Sequence, residues 1–174
     1  MKILDLEFEP FIIRDEISSA ISRMSREINN DYMDKKPLFL VILNGAFIFA
    51  SDLYREINIS SEISFIKLSS YNLTSSSGKV KELIGLNENV FDRNLIILED
   101  IIDSGLTLQY TIEALNDLGA ASIEIATLFL KPESLKKDFD IKYIGFSIQN
   151  EFIVGYGLDY NGFGRNLKDI YIQK

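Results

Sequence analysis

Along residues 13–28, apolar side chains recur at Ile13, Ile17, Ala20, Ile21, Met24 and Ile28, a spacing that predicts an amphipathic helix. A polar exit over residues 31–37 leads to residues 38–43, Leu-Phe-Leu-Val-Ile-Leu. A continuous apolar run of that length predicts a strand buried on both faces. Asn44-Gly45 breaks the run, and Ala46, Phe49, Ala50, Leu53 and Ile57 then mark the inner face of a second helix. Glu62–Leu68 alternates partly and predicts a strand. Residues 69–79 are polar and include Thr74-Ser75-Ser76-Ser77-Gly78, a length and composition typical of either a functional lid or a disordered loop. Residues 80–85 could pair back to close it as a hairpin. A third helix is expected from near Thr107, with Leu108, Ile112, Leu115 and Leu118 inward and Gly119 ending it. Ser122–Leu130 predicts another buried strand, ended by Lys131-Pro132. Short strands are expected at residues 143–148 and 153–156, before a tail punctuated by Gly155, Gly157, Gly162 and Gly164 that closes on Asp169-Ile170-Tyr171-Ile172. No repeat or linker interrupts this order. Buried strands alternating with helices predict one α/β domain spanning residues 1–174, with a mainly parallel sheet and right-handed crossovers.

The richest chemistry lies in residues 95–107, Leu-Ile-Ile-Leu-Glu-Asp-Ile-Ile-Asp-Ser-Gly-Leu-Thr. Leu95 to Leu98 read as a buried parallel strand, and Glu99 and Asp100 fall where it should emerge. Ligands of open α/β sheets bind beyond such strand ends. Asp103-Ser104-Gly105 then turns into the third helix, whose free N–H groups and nearby hydroxyls suit a phosphate. Acids crowded against a phosphate cradle need a reason, since two like charges about 4 Å apart repel by roughly 4 kcal/mol at an effective dielectric of 20. A divalent cation, the hydroxyls of a sugar or a proton transfer would each supply one.

Composition narrows the options. The 174 residues are 47% hydrophobic with a net charge of −8 and a pI near 4.6. This balance argues against a broad electrostatic footprint on nucleic acid or anionic lipid. A phosphorylated ligand would have to be held locally, by backbone dipoles, a few cations and a metal. The chain contains neither Cys nor His. That excludes disulfides, thiolate nucleophiles, Cys/His zinc sites and a Ser-His-Asp triad, and leaves Asp, Glu, Lys or Tyr as general base. No basic start followed by an apolar segment and no apolar run near 18 residues is visible, so neither signal peptide nor membrane span is expected.

The 95–107 stretch resembles the phosphoribosyl-pyrophosphate motif of type I phosphoribosyltransferases. Flanking segments, in matching order, narrow the resemblance to the hypoxanthine-guanine phosphoribosyltransferase family. They are residues 43–53 (LNGAFIFASDL), 68–71 (LSSY), 128–133 (LFLKPE) and 151–167 (EFIVGYGLDYNGFGRNL). The resemblance implies a central mainly parallel sheet flanked by helices, a flexible flap and a small hood. It implies Asp103 as the acid or base at purine nitrogen 7, although an Asp before Ser-Gly is also an ordinary turn residue. Glu99 and Asp100 would meet the ribose hydroxyls, directly or through Mg²⁺. Ser104, Gly105, Leu106 and Thr107 would cradle the 5′-phosphate.

Asn44 and Gly45 match a pyrophosphate loop that carries Lys or Arg at the Asn44 position in many relatives, which leaves the backbone to do the binding here. Arg165 would add a pyrophosphate contact. Lys131 would bind oxygen 6 of the base, Phe152 would stack on it, and Ile153 would contact it through its backbone. Asp159 would serve the purine site and a second Mg²⁺. Ser70 and Tyr71 would form the lid. The resemblance further implies purine salvage in the cytoplasm by a homodimer or homotetramer, with phosphoribosyl pyrophosphate and an oxopurine as substrates and with no nucleic-acid or membrane partner. The rival of another class is a phosphoribosyl-pyrophosphate sensor on the same fold that binds nucleic acid. Such a protein would want a basic face.

Overall fold

The structure is a computed structural model that describes residues 1–68, 83–136 and 139–174. The expected lid residues Ser70 and Tyr71 lie outside the described residues. Strands β1 (Lys2–Ile3) and β2 (Leu6–Ile12) precede helix α1 (Arg14–Asp31), followed by β3 (Leu38–Ile42), α2 (Phe47–Arg55), β4 (Glu62–Leu68) and β5 (Leu83–Ile84). Then come β6 (Asn94–Ile102), α3 (Leu106–Asp117), β7 (Ser122–Leu130), β8 (Tyr143–Ser147), β9 (Ile153–Val154) and β10 (Ile170–Gln173).

The larger sheet has the order β5-β4-β3-β6-β7-β8. Its five strands from β4 to β8 are parallel, and β5 adds to the β4 edge antiparallel. Residues 83–84 therefore pair back on β4 as the hairpin reading expects. Alternation sorts the core into two layers. Phe39, Val41, Ile96 and Leu98 pack with Ile17, Ile21, Met24 and Ile28 of α1 and Phe49 and Leu53 of α2. Leu38, Leu40, Ile42, Leu95 and Ile97 pack with Leu108 and Leu115 of α3. Both faces are covered, which is why these strands read as unbroken apolar runs.

Several boundaries differ from the sequence expectations. Ile13 is the N-cap of α1 and is 50% exposed instead of lying on the buried face. It has no capping side chain, and the first turn is served from elsewhere: the Glu16 carboxylate accepts the Ile13 N–H, and Asp169, near the end of the chain, accepts the Arg14 N–H at 2.7 Å. Helix α2 stops at Arg55, so Ile57 packs against the core from the following loop. Strand β6 runs on to Ile102, past Glu99 and Asp100, because β7 stays paired with it to Leu130.

The first twelve residues, which carry no clear pattern, form strands of a second sheet with the order β1-β2-β10-β9. This antiparallel hood unites the two ends of the chain around Ile3, Phe8 and Val154. Only two residues of the expected 153–156 strand are extended, since Gly155 (φ 108°), Tyr156 (φ 48°) and Gly157 (φ 104°) all have positive φ.

Candidate functional site

The site is assembled where β3 ends before β6 does. The last paired residue of β3 on this side is Val41, opposite Leu98. Beyond it the chain leaves through a cis peptide between Leu43 and Asn44 and enters α2. Glu99 and Asp100 are thus still held by β7 but have lost their β3 neighbour. Successive strand side chains leave opposite faces, so Asp100 continues the Ile96–Leu98 series toward α2; the alternation then breaks, with Ile101 packing in the α1–α2 layer and Ile102 in the α3 layer.

Asp100 lies directly against the loop after β3. A Cβ on Gly45 would fall 1.5 Å from Asp100 Oδ2, so only glycine fits there. On the hood side the approach is as close: a Cβ on Gly157 would fall 2.1 Å from the Gly45 carbonyl oxygen. Asp100, Gly45 and Gly157 therefore stack in contact. Arg165 completes this layer. Its Nη1 donates to the Gly157 carbonyl at 2.6 Å, and its Nη2 pairs with Asp159 Oδ1 at 2.6 Å. The other Asp159 oxygen accepts the Gly162 N–H at 2.6 Å.

Burial dominates the electrostatics. Desolvation pushes the Asp100 carboxyl up to about 6, against backbone N–H donation from Ile101 and the nearby Arg165 charge, which pull it down. Glu99 is pushed well above the usual carboxylate range, first by burial and then by the Asp100 charge. Among the described residues its Oε2 is buried without a hydrogen-bond partner. An acid left this way destabilises the empty fold unless a ligand or cation uses it.

Next along the chain, Asp103 and Ser104 lead to Gly105, the N-cap of α3, at φ 73°. Helix α3 starts at Leu106, so Thr107 lies inside its first turn; the N-cap Gly105 has no side chain to offer, and Ser104 Oγ accepts the Leu106 N–H only at 3.5 Å. The free N–H groups of that turn remain available to an anion. The turn is tightly packed from behind: a Cβ on Gly105 would fall 2.4 Å from the Phe139 ring, and the Lys136 N–H donates to the Ser104 carbonyl at 3.2 Å. Lys131, at the end of β7, is only 7% exposed. Its Nζ reaches Asp103 Oδ2 at 3.3 Å. A buried ammonium needs such a partner, and here it is the carboxylate with the more exposed side chain, 54% against 8% for Lys131.

The expected residues therefore fall into three groups. Asn44, Gly45, Asp100, Asp159 and Arg165 form one layer, with Glu99 beside it. Asp103 to Thr107 and Lys131 form a second group. Phe152 and Ile153 lie on the hood. Phe152 is 40% exposed, and its ring neighbours are Tyr160 and Phe8, while Ile153 is buried in β9. Among the described residues, no ring contact joins Phe152 to the Lys131–Asp103 pair.

Sequence reasoning overlooked Gly157, Tyr156 and Phe139. The only hint of the first two was a bulky residue between two glycines, a pattern that suits close backbone approach. Phe139 gave no local signal, because its role is to fill the space beside a glycine far away in sequence.

An open parallel sheet, a glycine-lined loop, strand-end acids and a glycine-capped helix start suit a protein that handles a phosphorylated sugar. Residues 13–161 match the model of the phosphoribosyl transferase domain, and the chain belongs to the phosphoribosyltransferase family. Within it, the chain is 42% identical over 164 residues to the hypoxanthine-guanine phosphoribosyltransferase of Bacillus subtilis, covering 94% of this chain and 91% of that one. It is also 42% identical over 157 residues to the enzyme of the same name from Dictyostelium discoideum, covering 87% of each. The crystal structure of a hypoxanthine-guanine phosphoribosyltransferase from Bacillus anthracis superposes with a TM-score of 0.88 at 34% identity, over 98% of this chain and 100% of that one.

Proposed function

We propose that this protein transfers a 5-phosphoribosyl group from phosphoribosyl pyrophosphate to hypoxanthine or guanine, yielding IMP or GMP and pyrophosphate in purine salvage. The observation that carries this reading is the Lys131–Asp103 pair beside the Gly105 N-cap of α3. It sets a buried cation suited to a carbonyl oxygen next to a carboxylate suited to a ring nitrogen. An oxopurine offers oxygen 6 and nitrogen 7 side by side.

In this scheme Ser104, Gly105, Leu106 and Thr107 hold the 5′-phosphate through backbone N–H groups and hydroxyls. Gly45 and Arg165 receive the diphosphate, with Asn44 contributing backbone and an uncharged side chain. Lys131 donates to oxygen 6, and Asp103 manages the proton at nitrogen 7. Phe152 and Ile153 cover the base, and Ser70 and Tyr71 serve the lid. As the bond from the anomeric carbon to pyrophosphate breaks, positive charge grows on the ribosyl group. Glu99 and Asp100 would stabilise that charge more than the ground state, which is how binding becomes rate.

The residues present fit Mg²⁺. The donors are carboxylate oxygens, as a hard cation requires, and Glu99 keeps a buried oxygen that has no partner among the described residues. Among the described residues no group of three or more acidic side chains is arranged to hold a metal alone, which suits an ion that binds one or two carboxylates together with substrate phosphates. Glu99 and Asp100 would hold one such ion and Asp159 a second, and Mg²⁺ bound there would supply positive charge to the leaving diphosphate.

A cytoplasmic homodimer or homotetramer, with no nucleic-acid or membrane partner, completes the reading. Among the described residues no helix is long and apolar enough to cross a membrane. The test is IMP formation from hypoxanthine and phosphoribosyl pyrophosphate, followed by chromatography with Mg²⁺ and again after chelation. IMP that disappears on chelation is expected. Absence of product with retained phosphoribosyl-pyrophosphate binding and capture of nucleic acid would instead favour the sensor.

A further inference from the structure

Between Gly155 and Gly157, Tyr156 is a large side chain held at φ 48°, a region that non-glycine residues rarely occupy, and it is 1% exposed. Something must hold it there. Its hydroxyl donates to Asp52 Oδ2 at 2.5 Å, and the same carboxylate oxygen pairs with Arg14 Nη2 at 2.8 Å. The Arg14 guanidinium also lies 5.1 Å from the centre of the Tyr156 ring. Asp52 belongs to α2, the helix entered directly from the Asn44–Gly45 loop. Arg14 opens α1, and its N–H is held by Asp169. One hydrogen-bonded cluster thus ties the hood to both helices on the Asp100 side of the sheet.

The backbone of Tyr156 connects this cluster to the site. The Tyr156 N–H donates to the Leu167 carbonyl and the Gly157 N–H to the Arg165 carbonyl. The Gly157 carbonyl in turn accepts from the Arg165 guanidinium. Gly157 itself presses on the Gly45 carbonyl, and Gly45 presses on Asp100. Fixing Tyr156 therefore fixes the spacing between the Gly45 loop and Arg165.

We propose that Tyr156, latched by Asp52, is a positioning residue that sets the separation of the Gly45 loop and Arg165, and thereby the affinity for the diphosphate of phosphoribosyl pyrophosphate. This rests on the reading of those two elements as diphosphate-binding. Tyr156 touches no reacting atom; it acts through the backbone of Gly157. Loss of its hydroxyl should weaken the binding of one substrate selectively.

The experiment compares Tyr156→Phe, Asp52→Ala and Asp52→Asn in the full chain, measuring KM for phosphoribosyl pyrophosphate, KM for hypoxanthine, kcat and Tm. Tyr156→Phe and Asp52→Ala should raise KM for phosphoribosyl pyrophosphate by about ten- to a hundredfold. KM for hypoxanthine should stay within about twofold, as expected when only one substrate's contacts are disturbed. Asp52→Asn keeps an acceptor for the hydroxyl and should recover most of the loss. Equal rises in both KM values, a lower Tm with unchanged KM values, or an Asp52→Asn variant as impaired as Asp52→Ala would each overturn the proposal. Should Tyr156→Phe not fold, the Asp52 pair decides. Should the unaltered protein show no transfer at all, the functional reading fails on its own, and calorimetry with inorganic pyrophosphate on the same variants still decides the positioning role.

Discussion

Replacing Asp100 by Asn should make the free protein more stable at neutral pH while impairing its use of phosphoribosyl pyrophosphate. Burial holds this carboxyl near 6 instead of 3.8, a difference worth about 3 kcal/mol against the charged form. Asp100 keeps some contact with solvent, and screening trims the expected gain to roughly 1–2 kcal/mol. Asparagine is nearly isosteric, and its amide oxygen can still accept the Ile101 N–H that now meets Oδ1 at 2.9 Å. For a chain of this length each kcal/mol moves Tm by about 2–4 °C, so a rise of roughly 2–8 °C is expected.

The sign follows from linkage. The folded protein binds this proton more tightly than the unfolded chain does, so the stability contributed by the protonated form is present below about pH 4 and is lost as pH rises through about 6. The advantage of Asp100→Asn should therefore be full above about pH 7 and shrink toward pH 4. Glu99 adds to it, because removing the Asp100 charge relieves one of the two causes that raise the Glu99 carboxyl. Urea unfolding of both proteins at several pH values reads this directly. A variant no more stable than the parent at pH 7.5, or one whose advantage is independent of pH, would refute the reasoning.

Asp103→Asn should lower turnover by roughly a hundredfold or more, the usual contribution of a positioned acid or base, while calorimetry still detects phosphoribosyl-pyrophosphate binding; an unchanged rate would remove Asp103 from proton transfer. Lys131→Ala should lower kcat/KM for hypoxanthine by roughly ten- to a hundredfold, as expected for a charged hydrogen bond, and adenine kinetics measured in parallel should change far less. Gly105→Ala forces a side chain onto a residue at φ 73° and into the Phe139 ring. It should cost at least about 1–2 kcal/mol, visible as a lower Tm, and an unchanged Tm would contradict the packing described.

The sheet core was legible because β3, β6 and β7 are buried on both faces and so carry long apolar runs. The acids of residues 99–103 and the small residues after them stood out for the opposite reason: they interrupt those runs where a ligand would sit. The hood was harder to read. Its strands are short, β9 is two residues long, and β2 shows only Phe8 and Ile12 as buried positions. Its partners come from opposite ends of the chain, a pairing that no local pattern encodes. The same limit hid Tyr156. Its importance lies in where its hydroxyl and its neighbouring glycine arrive, beside Asp52 and Gly45, more than a hundred positions earlier in the sequence.

The most direct measurement is the steady-state kinetics of hypoxanthine, guanine, xanthine and adenine, each with phosphoribosyl pyrophosphate and Mg²⁺, followed by absorbance. Hypoxanthine or guanine should give the highest kcat/KM, with adenine lower by a hundredfold or so, since a buried Lys131 can donate to a 6-oxo group but not to a 6-amino group. Adenine used as well as hypoxanthine, or no transfer to any of the four bases, would contradict it.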